Sequence, residues 1–336
     1  MNIEEKKIAL NLMEQIASFS NLSDAFRECA RGKRGSIGYQ RGMFANGEKL
    51  LRMQERLLAG TYVWGCYREF VVRDPKARLV MAAPFMDRVV HTAIHRVLDP
   101  LIDHQLYNRI YACRKGKGTR NAIIDLFVTL RAIGQERFVM KLDVRKYFAS
   151  IHHEILMKKL SEILPDQSLT NFLWSLLRNY PEYASARRGI PIGNLTSQLF
   201  ANFYLMSADR IAVNALKDNG SRSGNGFYFR YMDDMILGGS SKKIVMDATH
   251  ATITHVKDEL SLDIPYQKQM PIGNAPVPFL GFLLDHTGYK ILSRNRGRFE
   301  KTLRRLVHNG ERPSLIAQVA RSHEAWRDLN LVFGRQ

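Results

Sequence analysis

Apolar positions Ile8, Leu12, Ile16 and Phe19 recur at helical spacing, and Asn21-Leu22-Ser23-Asp24 offers a cap before a second start. Residues 5–31 therefore predict a helical entry. A helix resumes over Glu48–Leu58 and stops at Gly60. The pattern then changes to short apolar runs, Tyr67–Arg73 and Arg78–Ala82, which flank Asp74-Pro75-Lys76-Ala77 and predict a hairpin. A long amphipathic helix follows Pro84 through Val89, Val90, Ile94, Leu98 and Ile102, and another covers Thr119–Arg131. Phe138-Val139-Met140-Lys141-Leu142-Asp143-Val144 reads as a strand in which an apolar run ends on an aspartate. Helices near His153–Ile163 and Ser168–Tyr180 precede a single long helix through Leu199, Phe203, Ala208 and Ile211.

The stretch Phe227 to Gly239 places aromatic and branched residues on both sides of Asp233-Asp234, and predicts strand, tight turn and returning strand. Ser240-Ser241 then caps a helix whose Ile244, Met246, Ile253 and Leu260 are expected to face the core. Val277–Phe282 reads as one short strand with a glycine bend. In the last helix Arg298, Lys301, Arg304, Arg305 and His308 line one side, and Phe299, Leu303 and Leu306 another.

Two strands of this kind would bring Asp143, Asp233 and Asp234 together. Clustered carboxylates repel one another unless a cation is shared among them, and ligands that are all oxygen select a hard ion, so magnesium is expected. Two such ions about 4 Å apart are the usual device for displacement at phosphorus. The chemistry implied is nucleotidyl transfer.

Composition narrows the field further. Lys and Arg number 50 against 32 Asp and Glu, a net charge of +18 that suits a protein tracking a phosphate backbone. A hydrophobic content of 45% over 336 residues supports a substantial core in two or three lobes. No apolar run approaches the roughly 18 residues of a membrane span and the first residues lack a signal-peptide pattern, so a cytoplasmic location is expected. Cys29, Cys66 and Cys113 are too few and too scattered for a disulfide framework or a thiolate zinc site. The glycines of Cys113-Arg114-Lys115-Gly116-Lys117-Gly118 do not have phosphate-loop spacing. Lys76 and Arg78 would suit an incoming triphosphate, and read equally well as surface cations.

The order of these motifs resembles a reverse transcriptase over roughly residues 62–310. The resemblance implies an α+β right-hand polymerase. Residues 1–60 would form a helical N-terminal extension, 61–137 the fingers, 138–289 the palm with a fingers insertion around 155–200, and 290–336 a helical thumb. It further implies that Asp143 and Asp233 bridge two magnesium ions, that the Val144 carbonyl completes a metal shell, and that Asp234 is the third acid. Phe148 falls at the sugar-gate position that favours deoxynucleotides. Lys268 is similar to the lysine that protonates departing pyrophosphate, and Phe279–Phe282 looks like the primer grip.

One departure points to a subfamily. Reverse transcriptases commonly carry Gln-Gly, and later Ser-Pro, where this chain has Ile192-Gly193 and Ser197-Gln198. The pattern Ile-Gly-x-x-x-Ser-Gln resembles enzymes of diversity-generating retroelements. Glutamine can hydrogen-bond the incoming nucleotide whereas isoleucine offers only shape, and one such bond is worth about 1 kcal/mol, so nucleotide selection should loosen. The resemblance implies dNTPs and a template-repeat RNA as substrates, error-prone cDNA as product, an RNA/cDNA duplex in the protein, and a small basic accessory variability protein as partner. The alternatives are a group II intron-like or retron-like reverse transcriptase, and a non-catalytic RNA-binding scaffold.

Overall fold

The computed structural model describes residues 11–31, 46–73, 77–180, 186–217, 226–266 and 269–327. The chain opens with helices α1 (Leu12–Ala17), α2 (Phe19–Ala30) and α3 (Asn46–Leu58), then strands β1 (Arg68–Arg73) and β2 (Ala77–Ala82). Helices α4 (Phe85–Asp103) and α5 (Thr119–Ile133) lead to β3 (Phe138–Asp143). A short α6 (Tyr147–Ser150) precedes α7 (His153–Ile163), α8 (Gln167–Arg178), α9 (Leu195–Tyr204) and α10 (Met206–Leu216). After β4 (Gly226–Tyr231), β5 (Asp234–Gly239) and α11 (Lys242–Asp258) come β6 (Gln269–Gly273), β7 (Val277–Phe279), β8 (Phe282–Leu284) and β9 (Tyr289–Ile291). The last elements are α12 (Ser293–His308) and α13 (Pro313–Arg327).

Two compact units share the chain, the first drawn from Met1–Leu106, Val144–Ser207 and His255–Asp263. Its centre is α4, whose Val89, Val90, Ala93, Ile94, Leu98 and Ile102 are fully buried. Helices α1, α2 and α9 pack on it, and Phe26 of α2 meets Phe85 edge to face at 5.4 Å. The helical entry is thus part of this core. Asp166 ties distant segments together, since Oδ1 accepts from Leu169 N at the start of α8 and Oδ2 accepts from Met13 N of α1, each at 2.9 Å. Strands β1 and β2 pair antiparallel with Arg68 opposite Ala82, while Phe70, Val71 and Val72 remain exposed.

The second unit comprises Tyr107–Asp143, Ala208–Thr254 and Ile264–Gln336. Its sheet runs β4-β5-β3-β6, with every neighbouring pair antiparallel. Tyr111, Phe127, Phe227, Phe229, Ile236 and Phe279 share one core with Leu126 and Leu130 of α5. Gly238 stands opposite Phe227, and a Cβ there would lie 2.1 Å from the ring, so only glycine lets the aromatic fill the gap.

Three expectations are corrected. The long helix after Ser197 is two, α9 and α10, parted at Leu205; the apolar run continues across the break and hides it. In α11 Ile244 and Met246 are 39% and 42% exposed, and the buried face is Val245, Ala248, Thr249, Thr252 and Val256. Thr249 and Thr252 enter that face because their hydroxyls donate to Val245 O and Ala248 O, each at 2.7 Å, so two polar residues conceal the apolar stripe. Lastly, Val277–Phe282 is not one bent strand. Leu280 and Gly281 have φ of +47° and +92°, both left-handed, and form the two-residue turn of a β7–β8 hairpin to which β9 adds a third strand.

Candidate active site

In the second unit the β4–β5 hairpin turns at Met232 and Asp233, with Met232 at φ +59°. Antiparallel register sets Asp234 of β5 directly opposite Asp143, the last residue of β3. Residues paired in this way project from the same face of a sheet. The structure therefore brings Asp143, Asp233 and Asp234 to one end of the sheet, as the strand patterns predict.

The charge is not left to itself. Lys141 of β3 donates from Nζ to Asp234 Oδ2 at 2.7 Å and to Pro278 O at 2.9 Å. Burial pushes the Asp234 carboxyl up to about 6, Lys141 opposes that rise, and Asp233 and Asp143 add to it. Lys141 carries no signal of this role in the sequence, because a lysine inside a strand pattern reads as a surface residue. Asp234 Oδ1 is buried and has no partner among the described residues. A buried carboxylate oxygen without a donor, beside two more carboxylates, suits a hard cation. Among the described residues no three His, Cys, Asp or Glu side chains close around a common point, and Lys141 supplies the nearest counter-charge.

A buried ion pair underlies the turn. Arg230 of β4 donates from Nε to Asp209 Oδ1 at 2.6 Å and from Nη2 to Oδ2 at 2.8 Å; the residues are 0% and 1% exposed. Tyr228 OH also donates to Asp209 Oδ1 at 2.7 Å, and Arg230 Nη1 donates to Met232 O at 2.9 Å. The pair thus grips the backbone of the turn that carries Asp233. The only signal in the sequence was an arginine within an otherwise apolar strand.

The first unit holds the remaining described candidates. Met81 N of β2 donates to Ile192 O at 3.1 Å, seating the Ile192-Gly193 segment on the hairpin. Gly193 has φ +121°, and a Cβ on it would lie 3.0 Å from Val80 Cγ1 and 3.3 Å from Met81 O. What this glycine allows is close approach to β2. Ile190 N donates to Phe148 O at 2.8 Å and Gly189 N to Ile151 O at 2.7 Å, so Phe148 and Ile192 stand on adjoining segments. Phe148 and Ile192 are half-buried, Gly193 is exposed, and Val144 is buried. Arg78 is exposed on β2, opposite Val72. Lys76 and Lys268 lie outside the described residues.

Behind this segment, His91 of α4 is 1% exposed, with Nδ1 2.8 Å from Thr196 Oγ1 and Nε2 3.3 Å from Tyr67 OH. Burial holds its pKa down to about 3, so the ring is neutral. Cys29, Cys66 and Cys113 are not joined in disulfides among the described residues, and no described helix is long and apolar enough to cross a membrane.

An antiparallel sheet with carboxylates gathered at one end, in a mixed helical and sheet chain, is the architecture of an α+β nucleic-acid polymerase. Residues 73–284 match the family model for reverse transcriptase (RNA-dependent DNA polymerase), and the chain belongs to that family of nucleotidyltransferases. It is 21% identical over 281 residues to Protein YkfC of Escherichia coli (strain K12), covering 74% of this chain and 72% of that one. It is 22% identical over 173 residues to the Group II intron-encoded protein LtrA of Lactococcus lactis subsp. cremoris, 49% of this chain and 28% of LtrA. Apo telomerase from Candida Tropicalis superposes with a TM-score of 0.50 at 9% identity, over 68% of this chain and 48% of that one, a likeness of fold.

Proposed function

We propose that this chain is the error-prone RNA-directed DNA polymerase of a diversity-generating retroelement, acting by two-metal nucleotidyl transfer. The observation that carries the chemistry is the register pairing of Asp143 with Asp234 beside the Asp233 turn. Asp143, Asp233 and Asp234, with the carbonyl of Val144, would hold two magnesium ions, which when bound would activate the attacking oxygen and stabilise the leaving group. Lys141 holds Asp234 in place and Arg230 holds the turn. In this reading Phe148 limits room for a 2′-hydroxyl and Ile192 meets the nucleotide by shape alone. Lys76 and Arg78 offer charge to the triphosphate, and Lys268 a proton to pyrophosphate. Residues 61–137 act as fingers, 138–289 as palm and 290–336 as thumb, following a helical extension of residues 1–60. The partners are template RNA, the RNA/cDNA duplex, dNTPs and a small basic accessory variability protein.

Similarity to an intron-encoded protein favours a second reading, a group II intron-like enzyme. Sequencing of cDNA separates the two. With magnesium, the cognate RNA, the accessory protein and dNTPs, synthesis is expected with errors concentrated at template adenines, and Ile192→Gln is expected to gain accuracy. Uniformly accurate cDNA would favour the intron-like reading. Asp233→Asn should abolish synthesis; full biological activity in that variant would instead mark a binding scaffold.

A further inference from the structure

We propose that a cleft at the opposite end of the four-stranded sheet from Asp143 is a second binding site, which takes a phosphate group between the Arg137 guanidinium and Lys242. Arg137 immediately precedes β3 and is 5% exposed. Its Nη1 donates to Gly134 O at 2.8 Å and lies 3.2 Å from His286 Nδ1. Its Nε and Nη2 are buried with no partner among the described residues. Those two N–H groups form the side of a guanidinium that grips two oxygens of one oxyanion. Left unpaired they carry an unrecovered desolvation cost, and burial lowers the Arg137 pKa from its ordinary value while Asp285 opposes the change.

Arg137 lines an open cleft of about 540 Å³ with Gln135, Glu136, Phe138, Lys242 and Asn274. Lys242 is exposed, and its Nζ lies 5.5 Å from the centroid of the Phe138 ring, which puts a second cation on the same rim. It is also the first residue of the 17-residue α11, so the positive end of a helix dipole adds to the field there. Glu136 on the rim and Asp285, whose charge acts on Arg137, set two carboxylates against these two cations. Asp285 Oδ1 is engaged by Thr287 N, Thr287 Oγ1 and Gly288 N. With the Arg137 side chain turned so that its Nε–Nη2 edge faces the cleft, a phosphate would place two oxygens on the arginine and meet the lysine as a point charge. The cleft is within the size range of small-ligand sites, so the phosphate of a free nucleotide and that of a nucleic-acid backbone both fit it. Phe138 on its rim lies five positions before Asp143 along β3, about 17 Å at strand rise, so occupancy does not compete with the carboxylates.

The test follows the Nε–H resonance of Arg137 in the nitrogen-15-labelled full chain, assigned through Arg137→Lys. Inorganic phosphate, a nucleoside monophosphate and a short single-stranded RNA are titrated separately. A saturable shift with inorganic phosphate is expected, weakened by roughly tenfold or more in Lys242→Glu. Lys242→Glu changes a surface residue and should leave DNA synthesis on a short primer–template unaltered. The tighter of the nucleotide and RNA arms identifies the source of the phosphate. A resonance that none of the three probes moves, or equal affinity in Lys242→Glu, would overturn the proposal.

Discussion

Arg230 and Asp209 form a doubly hydrogen-bonded ion pair without solvent contact, and the same guanidinium holds the carbonyl of Met232 in the turn that bears Asp233. Removing one partner strands a buried charge, which typically costs about 3–5 kcal/mol. Asp209→Leu should therefore lower the unfolding free energy by that order, read as a fall in the urea midpoint equal to the loss divided by the m-value. It should also reduce primer extension under conditions where the variant remains folded, because Met232 loses its anchor. A variant with wild-type turnover would show that the pair serves stability alone.

Lys141 predicts a pH effect. In the metal-free folded protein the Asp234 carboxyl sits near 6, above its ordinary value of 3.8, so its ionised form is lost as pH falls through about 6. Lys141 opposes the rise, and Lys141→Met should move the titration of this carboxyl to higher pH. Each unit of movement costs roughly tenfold in the ionised fraction on the acid side. Carboxyl carbon-13 shifts recorded between pH 5 and 9 without magnesium provide the measurement.

Gly193 has a backbone that other residues rarely adopt and lies against Val80 and Met81. Gly193→Ala should cost about 1–3 kcal/mol and loosen the Ile192 segment from β2. Steady-state kinetics should show a rise in KM for dNTPs larger than the fall in kcat.

His91 predicts a stability profile. Its folded pKa near 3 lies below the ordinary 6.5, so between those values the unfolded chain takes up a proton that the folded protein refuses. Stability from this group is complete above about pH 6.5 and declines as pH falls, by about 2 kcal/mol from pH 7 to pH 5. Urea midpoints at the two pH values should show the loss, and His91→Gln should flatten it.

The hairpin at Asp233 and the strand ending on Asp143 were legible because apolar runs of strand length are punctuated by carboxylates. Their pairing was inferred from the chemistry, and the register of β3 with β5 supplies it. The edge strand β6 was missed, since Gln269–Gly273 contains Pro271 and little alternation, and is recognisable only by its partner β3. The inward face of α11 was misplaced because threonines that satisfy themselves on the backbone occupy it. Arg230, Asp209 and Lys141 were invisible for a common reason. A charge inside an apolar pattern has meaning only once its counter-charge is located, and here the counter-charges are 21 and 93 residues away.

The ammonium of Lys141 has a bearing on the order of assembly. With an internal cation already in contact with Asp234, the acidic end of the sheet does not have to wait for divalent ions to be tolerated. The folded scaffold would then exist before its metals arrive, and chelators should silence such an enzyme without melting it.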